Sequence, residues 1–130
     1  MAVLPELVMK AWRKREGPIV FSTVDTKGIP NAIYATSVSI YNPGTIVIAD
    51  NYFDKTRKNI MDGSKGSILF ITDEKKSFQV KGSIKYYKKG EIFNDMKKWN
   101  STKLPGHAAA ALKVEEVYSG SEKLEIATKV

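Results

Sequence analysis

The stretch from Pro18 to Asp50 constrains the fold more than any other part of this 130-residue chain. It holds three runs rich in β-branched and aromatic residues, PIVFSTVD, NAIYATSVSIY and TIVIAD. Thr26-Lys27-Gly28-Ile29-Pro30 and Asn42-Pro43-Gly44 separate them. Short runs punctuated by Gly and Pro read as strands joined by tight turns. Such connections are too short for the crossover that a parallel pair needs, so the three strands form an antiparallel meander. In the middle run Ala32, Tyr34, Thr36, Val38 and Ile40 are expected on one face, by alternation.

The remainder extends this pattern. Leu4, Leu7, Val8, Ala11 and Trp12 make the apolar stripe of a short helix that Gly17-Pro18 ends. Asp54 to Met61 breaks the alternation and reads as a second short helix, capped by Asp54. Gly66 to Thr72 is nearly continuously apolar, which predicts a strand buried on both faces. Ser77 to Lys88 alternates cleanly, with Phe78, Val80, Gly82, Ile84 and Tyr86 inward. A third helix carries Ile92, Phe93, Met96 and Trp99, and Ala108–Ser119 and Leu124–Ala127 supply a sixth and a seventh strand. The reading is a mainly β chain: a six- to seven-stranded antiparallel barrel with short helices at its corners. With no repeat and no linker, residues 1–130 form a single domain.

Composition narrows the chemistry. The absence of cysteine excludes disulfides, thiolate catalysis, cysteine-ligated zinc and iron–sulfur clusters. The single histidine, His107, cannot build a multi-histidine metal site, and no metal is expected. A site must draw on lysine, hydroxyls, carboxylates and backbone. The net charge of +7 comes mostly from lysines scattered among carboxylates, with only Arg13, Arg15 and Arg57 as arginines. Base readout and bidentate phosphate clamps favour arginine, so the balance describes a solvated lysine surface and argues against a nucleic-acid partner. The N-terminus lacks the order of a secretory signal, and no run approaches the length of a membrane span. A cytoplasmic protein is expected, in which the Asn100-Ser101-Thr102 sequon has no role. Glu115 and Glu116 fall on opposite strand faces and are not expected to act as a carboxylate pair.

The segment TIVIADNYFDKTRKNI (Thr45–Ile60) is the most informative for function. An apolar strand runs into a short helix that opens with Lys55-Thr56. A helix start offers unpaired N–H groups, to which Lys55 adds a charge and Thr56 a hydroxyl, a set suited to a phosphate. The same letters also suit a capped helix with a solvated lysine.

The order of these passages, GIPNAIYATSVSI (Gly28–Ile40), TIVIADNYFDKTRKNI and GSILFIT…SFQVKGSIK (Gly66–Lys85), resembles the FMN-binding split barrels. That superfamily includes the pyridoxamine 5′-phosphate oxidases and small FMN-binding proteins. The resemblance implies a split barrel and an FMN whose phosphate is held by Lys55 and Thr56. It implies further that the isoalloxazine edge lies along the backbone of Val47, Ile48, Ala49 and Asp50. Ile33, Tyr34, Ala35, Thr36 and Ser37 would cover the ring and ribityl chain. It implies a homodimer with sites at the interface, Ser77 or Phe78 making the cross-subunit contact. Asp50 and Asp54 stand where hydroxyl residues are common, and Ile33 stands for a basic residue. No Arg or Trp follows Trp99, which argues against pyridoxamine-phosphate oxidase activity specifically. The function expected is electron transfer or a flavin-dependent oxidoreductase, supplied by a nicotinamide cofactor or a redox partner protein; no side chain stands out as acid or base. The alternatives are a cofactor-free barrel using its basic surface for a polyanion, a deazaflavin binder, and a heme binder leaning on His107. His107 itself follows Leu104-Pro105-Gly106 in a loop, where it would face solvent, cap a helix or touch a flavin.

Overall fold

A computed structural model describes residues 1–129. Three helices, α1 (Glu6–Arg13), α2 (Lys55–Met61) and α3 (Glu91–Trp99), decorate one antiparallel sheet. Its strands are β1 (Ile19–Val24), β2 (Pro30–Ala35), β3 (Val38–Asn42), β4 (Thr45–Asp50), β5 (Gly66–Ile71), β6 (Ser77–Tyr87) and β7 (Ala108–Ser119). A two-residue β8 (Glu122–Lys123) pairs with β7. The hydrogen-bonded order is β2-β1-β5-β6-β7-β4-β3. The two edge strands, β2 and β3, are therefore consecutive in the chain and separated only by Thr36-Ser37. The sheet curls into a barrel that stays split at this point, as the family resemblance implies.

Local chemistry explains the turns. In the β1–β2 connection one Asp25 carboxylate oxygen accepts the N–H groups of Lys27 and Ile29, both at 2.9 Å, while Gly28 takes a φ of +82°. Asn42 Oδ1 accepts the Gly44 N–H at 2.9 Å in the next turn. Gly82 answers a different need. It stands at the β-bulge where β6 crosses β7, and a Cβ there would lie 1.8 Å from the Lys113 carbonyl oxygen.

The barrel interior is filled by alternate residues of nearly every strand. Ile19, Phe21, Ile46, Ile48, Ile68, Val80, Leu112 and Val117 are all fully buried. Trp12 of α1 closes one end, its ring edge-on to Phe70 at 5.2 Å, and Phe70 stacks on Phe78 at 5.5 Å. A second, smaller cluster lies outside the barrel wall. There Val47, Ala49, Ala109 and Ala111 meet Met96, with Ile92, Phe93 and Trp99 against them. The run Ala108–Ala111 has small side chains on both faces of β7, which leaves room for α3 to pack directly on the sheet.

Four expectations are corrected. The middle strand is not one run, because Val38 donates its N–H to the Thr36 carbonyl at 3.1 Å and the chain bends. The bend resets the alternation: Ile33 and Ala35 face the core before it and Val38 and Ile40 after it, leaving Ala32 and Tyr34 outside. β5 is buried on one face only, with Leu69 and Ile71 exposed, since no helix covers its outer side. Leu124–Ala127 is not a strand. Leu124 and Ile126 pack on the core, and the chain is tied by the Leu124 N–H to Val117 and the Val3 N–H to Ala127. Asp54 precedes α2 but makes no side-chain capping bond.

The bulge between Lys81 and Gly82 also changes the placing of Glu115 and Glu116. Both line one outer groove, where strict alternation would separate them. Lys65 pairs with Glu115 at 2.7 Å, and Glu116 accepts the Tyr118 hydroxyl at 2.6 Å. That bond, with Lys123 and Lys81 nearby, holds the Glu116 carboxyl below its ordinary range. No helix among the described residues is long and apolar enough to cross a membrane.

Candidate functional site

The split in the barrel opens a cleft of about 320 Å³. Ile33, Tyr34, Ala35, Thr36 and Ser37 line one side, Ala49, Asn51, Tyr52 and Phe53 the other, and Leu104 reaches in from the loop after α3. Tyr34 and Tyr52 are each 77% exposed, more than any other large hydrophobic side chain among the described residues. Two rings left this bare at the rim of one cleft are available to cover a flat ligand. Because β2 pairs only with β1, alternate N–H and C=O groups along its outer edge have no strand partner.

A second, smaller cleft of about 240 Å³ lies further along β2. Pro30 and Asn31 of β2 meet Lys55, Lys58 and Asn59 of α2 there, with Asp25 and Ile29 from the turn. Lys55 is exposed and forms no ion pair among the described residues. Thr56 sits behind it. Its side chain is buried, and its hydroxyl oxygen accepts Asn31 Nδ2 at 2.9 Å. Asn59 Nδ2 donates to Thr23 Oγ1 at 3.0 Å, so a short polar chain pins α2 to β1 and β2.

The other residues singled out from the sequence fall elsewhere. Only Ala49 of the β4 group reaches the cleft. Val47 is packed beneath α3 and Ile48 fills the barrel. Thr45–Ile48 of β4 are laddered to β3 on one side, the Ala49 N–H goes to the Ser37 carbonyl at 2.9 Å, and the other side of the strand pairs with β7. The free edges belong to β2 and β3. Phe78 is buried against Phe70 and offers no surface to a second chain, while Ser77 is half-buried at the start of β6.

Asp50 has a structural part. Its carboxylate is fully buried and receives Arg57 through two bonds, Nε at 2.7 Å and Nη2 at 2.9 Å. Tyr86 donates its hydroxyl to the same carboxylate, and the Phe53 N–H adds a bond at 3.1 Å. The Asp50 bonds hold the Arg57 guanidinium above its ordinary pKa. Burial, and then the bond to Asp50, raises the Tyr86 phenol. This cluster carries the 50–53 turn and so shapes one wall of the cleft.

Comparison with known proteins supplies the frame for this geometry. The family model described as pyridoxamine 5′-phosphate oxidase matches residues 7–120. The chain belongs to that family. An uncharacterized protein of Methanocaldococcus jannaschii, MJ0282, is 34% identical over 110 residues, covering 80% of this chain and 74% of the relative. Among solved structures, an FMN-binding protein from Syntrophomonas wolfei subsp. wolfei superposes with a TM-score of 0.76 at 25% identity, covering 90% of this chain and 88% of that one. HupZ of Group A Streptococcus superposes with a TM-score of 0.75 at 24% identity, covering 89% and 94%.

Within the family frame, three groups of residues about the site escape a reading by sequence. Asn31 is hidden in a run of strand letters. Arg57 is overshadowed by the neighbouring Lys55-Thr56. Asn51 lies in the cleft lining and is held by a long-range amide pair: Asn100 Nδ2 donates to Asn51 Oδ1 at 2.9 Å, and Asn51 Nδ2 returns a bond at 3.1 Å. The amide of the sequon residue Asn100 is thereby consumed inside the fold. The signal available was the pair of polar residues, Asp50-Asn51, ending an otherwise apolar strand.

Proposed function

We propose that this chain binds FMN in the cleft between β2 and the 50–53 turn, as one half of a homodimer, and serves electron transfer. FMN asks a site for a flat slot, hydrogen-bonding groups for its pyrimidine edge and a cation for its phosphate. The residues present suit it. Tyr34 and Tyr52 frame the slot, Ala49 gives a small floor, and the open edge of β2 offers backbone donors and acceptors. Lys55 stands beside Asn31, three residues from Tyr34, which is about 10 Å along a strand. That separation matches a ring at one end of β2 and a phosphate at the other. The unpaired edge of β2 at the split is the observation that carries the reading.

When bound, the flavin would supply hydride or single-electron chemistry. The chain's own residues would bind and shelter it: Lys55 neutralises phosphate charge, Tyr34 and Tyr52 exclude water from the ring, and Leu104 limits the far end. The cleft is open on one side, and a second copy of the chain closes it in this reading. Electrons come from a nicotinamide cofactor or a redox partner protein. The family supports the proposal, as does the structural likeness to an FMN-binding protein.

The test is the visible spectrum of the purified protein, with the mass of any pigment that heat releases and the mass of the native particle. A yellow dimer releasing FMN is expected, and Lys55→Ala should weaken FMN binding roughly tenfold to a hundredfold, the worth of one charge-assisted contact. A colourless protein that refuses added FMN overturns the reading. Release of a deazaflavin would replace FMN by another pigment on the same anchor.

A further inference from the structure

A third cleft, of about 500 Å³, lies on the other side of the 50–57 segment and shares no lining residue with the two described above. Arg57 and Met61 of α2, Tyr86 and Lys88 at the end of β6, and His107 before β7 enclose it. Among the described residues no carboxylate lines it. We infer that this cleft is a binding site for a phosphoryl group of a small anionic ligand, with Arg57, Lys88 and His107 as its contacts.

The argument starts from Arg57. Its guanidinium has five N–H groups in a rigid fork, and the Nε–H and one Nη2–H go to the buried Asp50 carboxylate. Three N–H groups remain, with no protein acceptor among the described residues. Holding a carboxylate fully inside the protein is expensive unless it is paired and hydrogen-bonded. Asp50 meets both conditions through Arg57, Tyr86 and the Phe53 N–H. The arrangement fixes the guanidinium with its inner edge occupied and its outer edge turned to the cleft, since the side chain is still 39% exposed. A side chain of this length normally loses much freedom on binding an anion, and here that loss has already been incurred in folding.

Lys88 and His107 are both exposed, and they join Arg57 at the same opening from two other elements. A carboxylate has two oxygens, which the free edge of Arg57 could occupy alone. Three donor groups arriving from separate points suit the three outer oxygens of a phosphoryl group. The site does not depend on a flavin being bound. The Asp50 carboxylate nonetheless touches both sides, holding Phe53 of the first cleft through its N–H and Arg57 of this one.

The experiment is a titration of the 15N-labelled full chain with inorganic phosphate at constant ionic strength, followed by amide and arginine side-chain NMR signals. Saturable shifts are expected at the Arg57 side chain and at the amides of Lys88 and His107, in wild type and equally in Lys55→Ala. Lys88→Ala and His107→Gln alter only exposed side chains, and each should raise the half-saturating concentration about tenfold, the worth of roughly one contact. Acetate should saturate the same signals far more weakly. Shifts that never saturate overturn the site, as do shifts indifferent to both substitutions. Shifts lost in Lys55→Ala would assign phosphate to the cleft beside Asn31 and overturn this one. Unchanged core amides in each variant keep these outcomes apart from unfolding.

Discussion

Strands β2 and β4 are each six residues long and are separated in the chain by the single strand β3, yet they do opposite work. Every residue of β4 is buried and its backbone lies between two strands, β3 and β7. In β2 every second residue is exposed, and one backbone edge has no strand partner. Both are written in small and branched apolar letters. Position in the sheet separates them: β4 lies between two strands and under α3, whereas β2 ends the strand order. The comparison teaches that the candidate cleft sits where the sheet stops, and that β4 supplies its wall mainly with rigidity.

The largest effect that would test this division concerns the anchor of the 50–53 turn. Replacing Arg57 with Leu leaves the Asp50 carboxylate buried without its partner, and should lower unfolding free energy by about 3–5 kcal/mol in urea denaturation. A loss below about 1 kcal/mol would mean that the turn does not rest on this pair. Next comes Ile48→Ala in β4, which removes a fully buried side chain; a cost of roughly 2–5 kcal/mol is expected by the same measurement. Tyr34→Ala in β2 should reverse that profile. Stability should stay within about 0.5 kcal/mol, as at an exposed site, while FMN affinity falls by about tenfold, read by fluorescence titration. If stability suffers and affinity does not, the roles of the two strands are misassigned. The smallest effect belongs to Asp54→Ala. An aspartate capping its helix would cost about 1 kcal/mol on removal, but Asp54 makes no capping bond and thermal unfolding should barely move.

Much of this molecule is legible in its letters. The alternation of Ser77–Tyr87 reports the inner face of β6 faithfully, because that strand is covered on one side only. The same logic fails at Gly66–Ile71. Four consecutive apolar letters in β5, Ile68 to Ile71, look like burial on both faces, but alternation cannot tell a covered outer face from a bare one. It fails again at Thr36-Ser37, where one backbone bend shifts the phase and exchanges inside for outside. Around the candidate site, the lining of the cleft by residues 33–37 and the place of Lys55 at the start of α2 were readable from motif order. Arg57, Asn31 and Asn51 were not, since each earns its part through a partner at least six residues away in sequence.

The sequence by itself determined the strand and turn pattern, the three short helices, the exclusion of cysteine chemistry and the family. These follow from local periodicity and composition, which act over a few residues. Only the tertiary structure decided which strand edges stay open, that Asp50 is neutralised by Arg57, and that one short helix, α2, lines two separate clefts. Those are consequences of sheet closure. Which backbone groups remain unpaired, and which charges meet out of water, is known only when the last strand is in place.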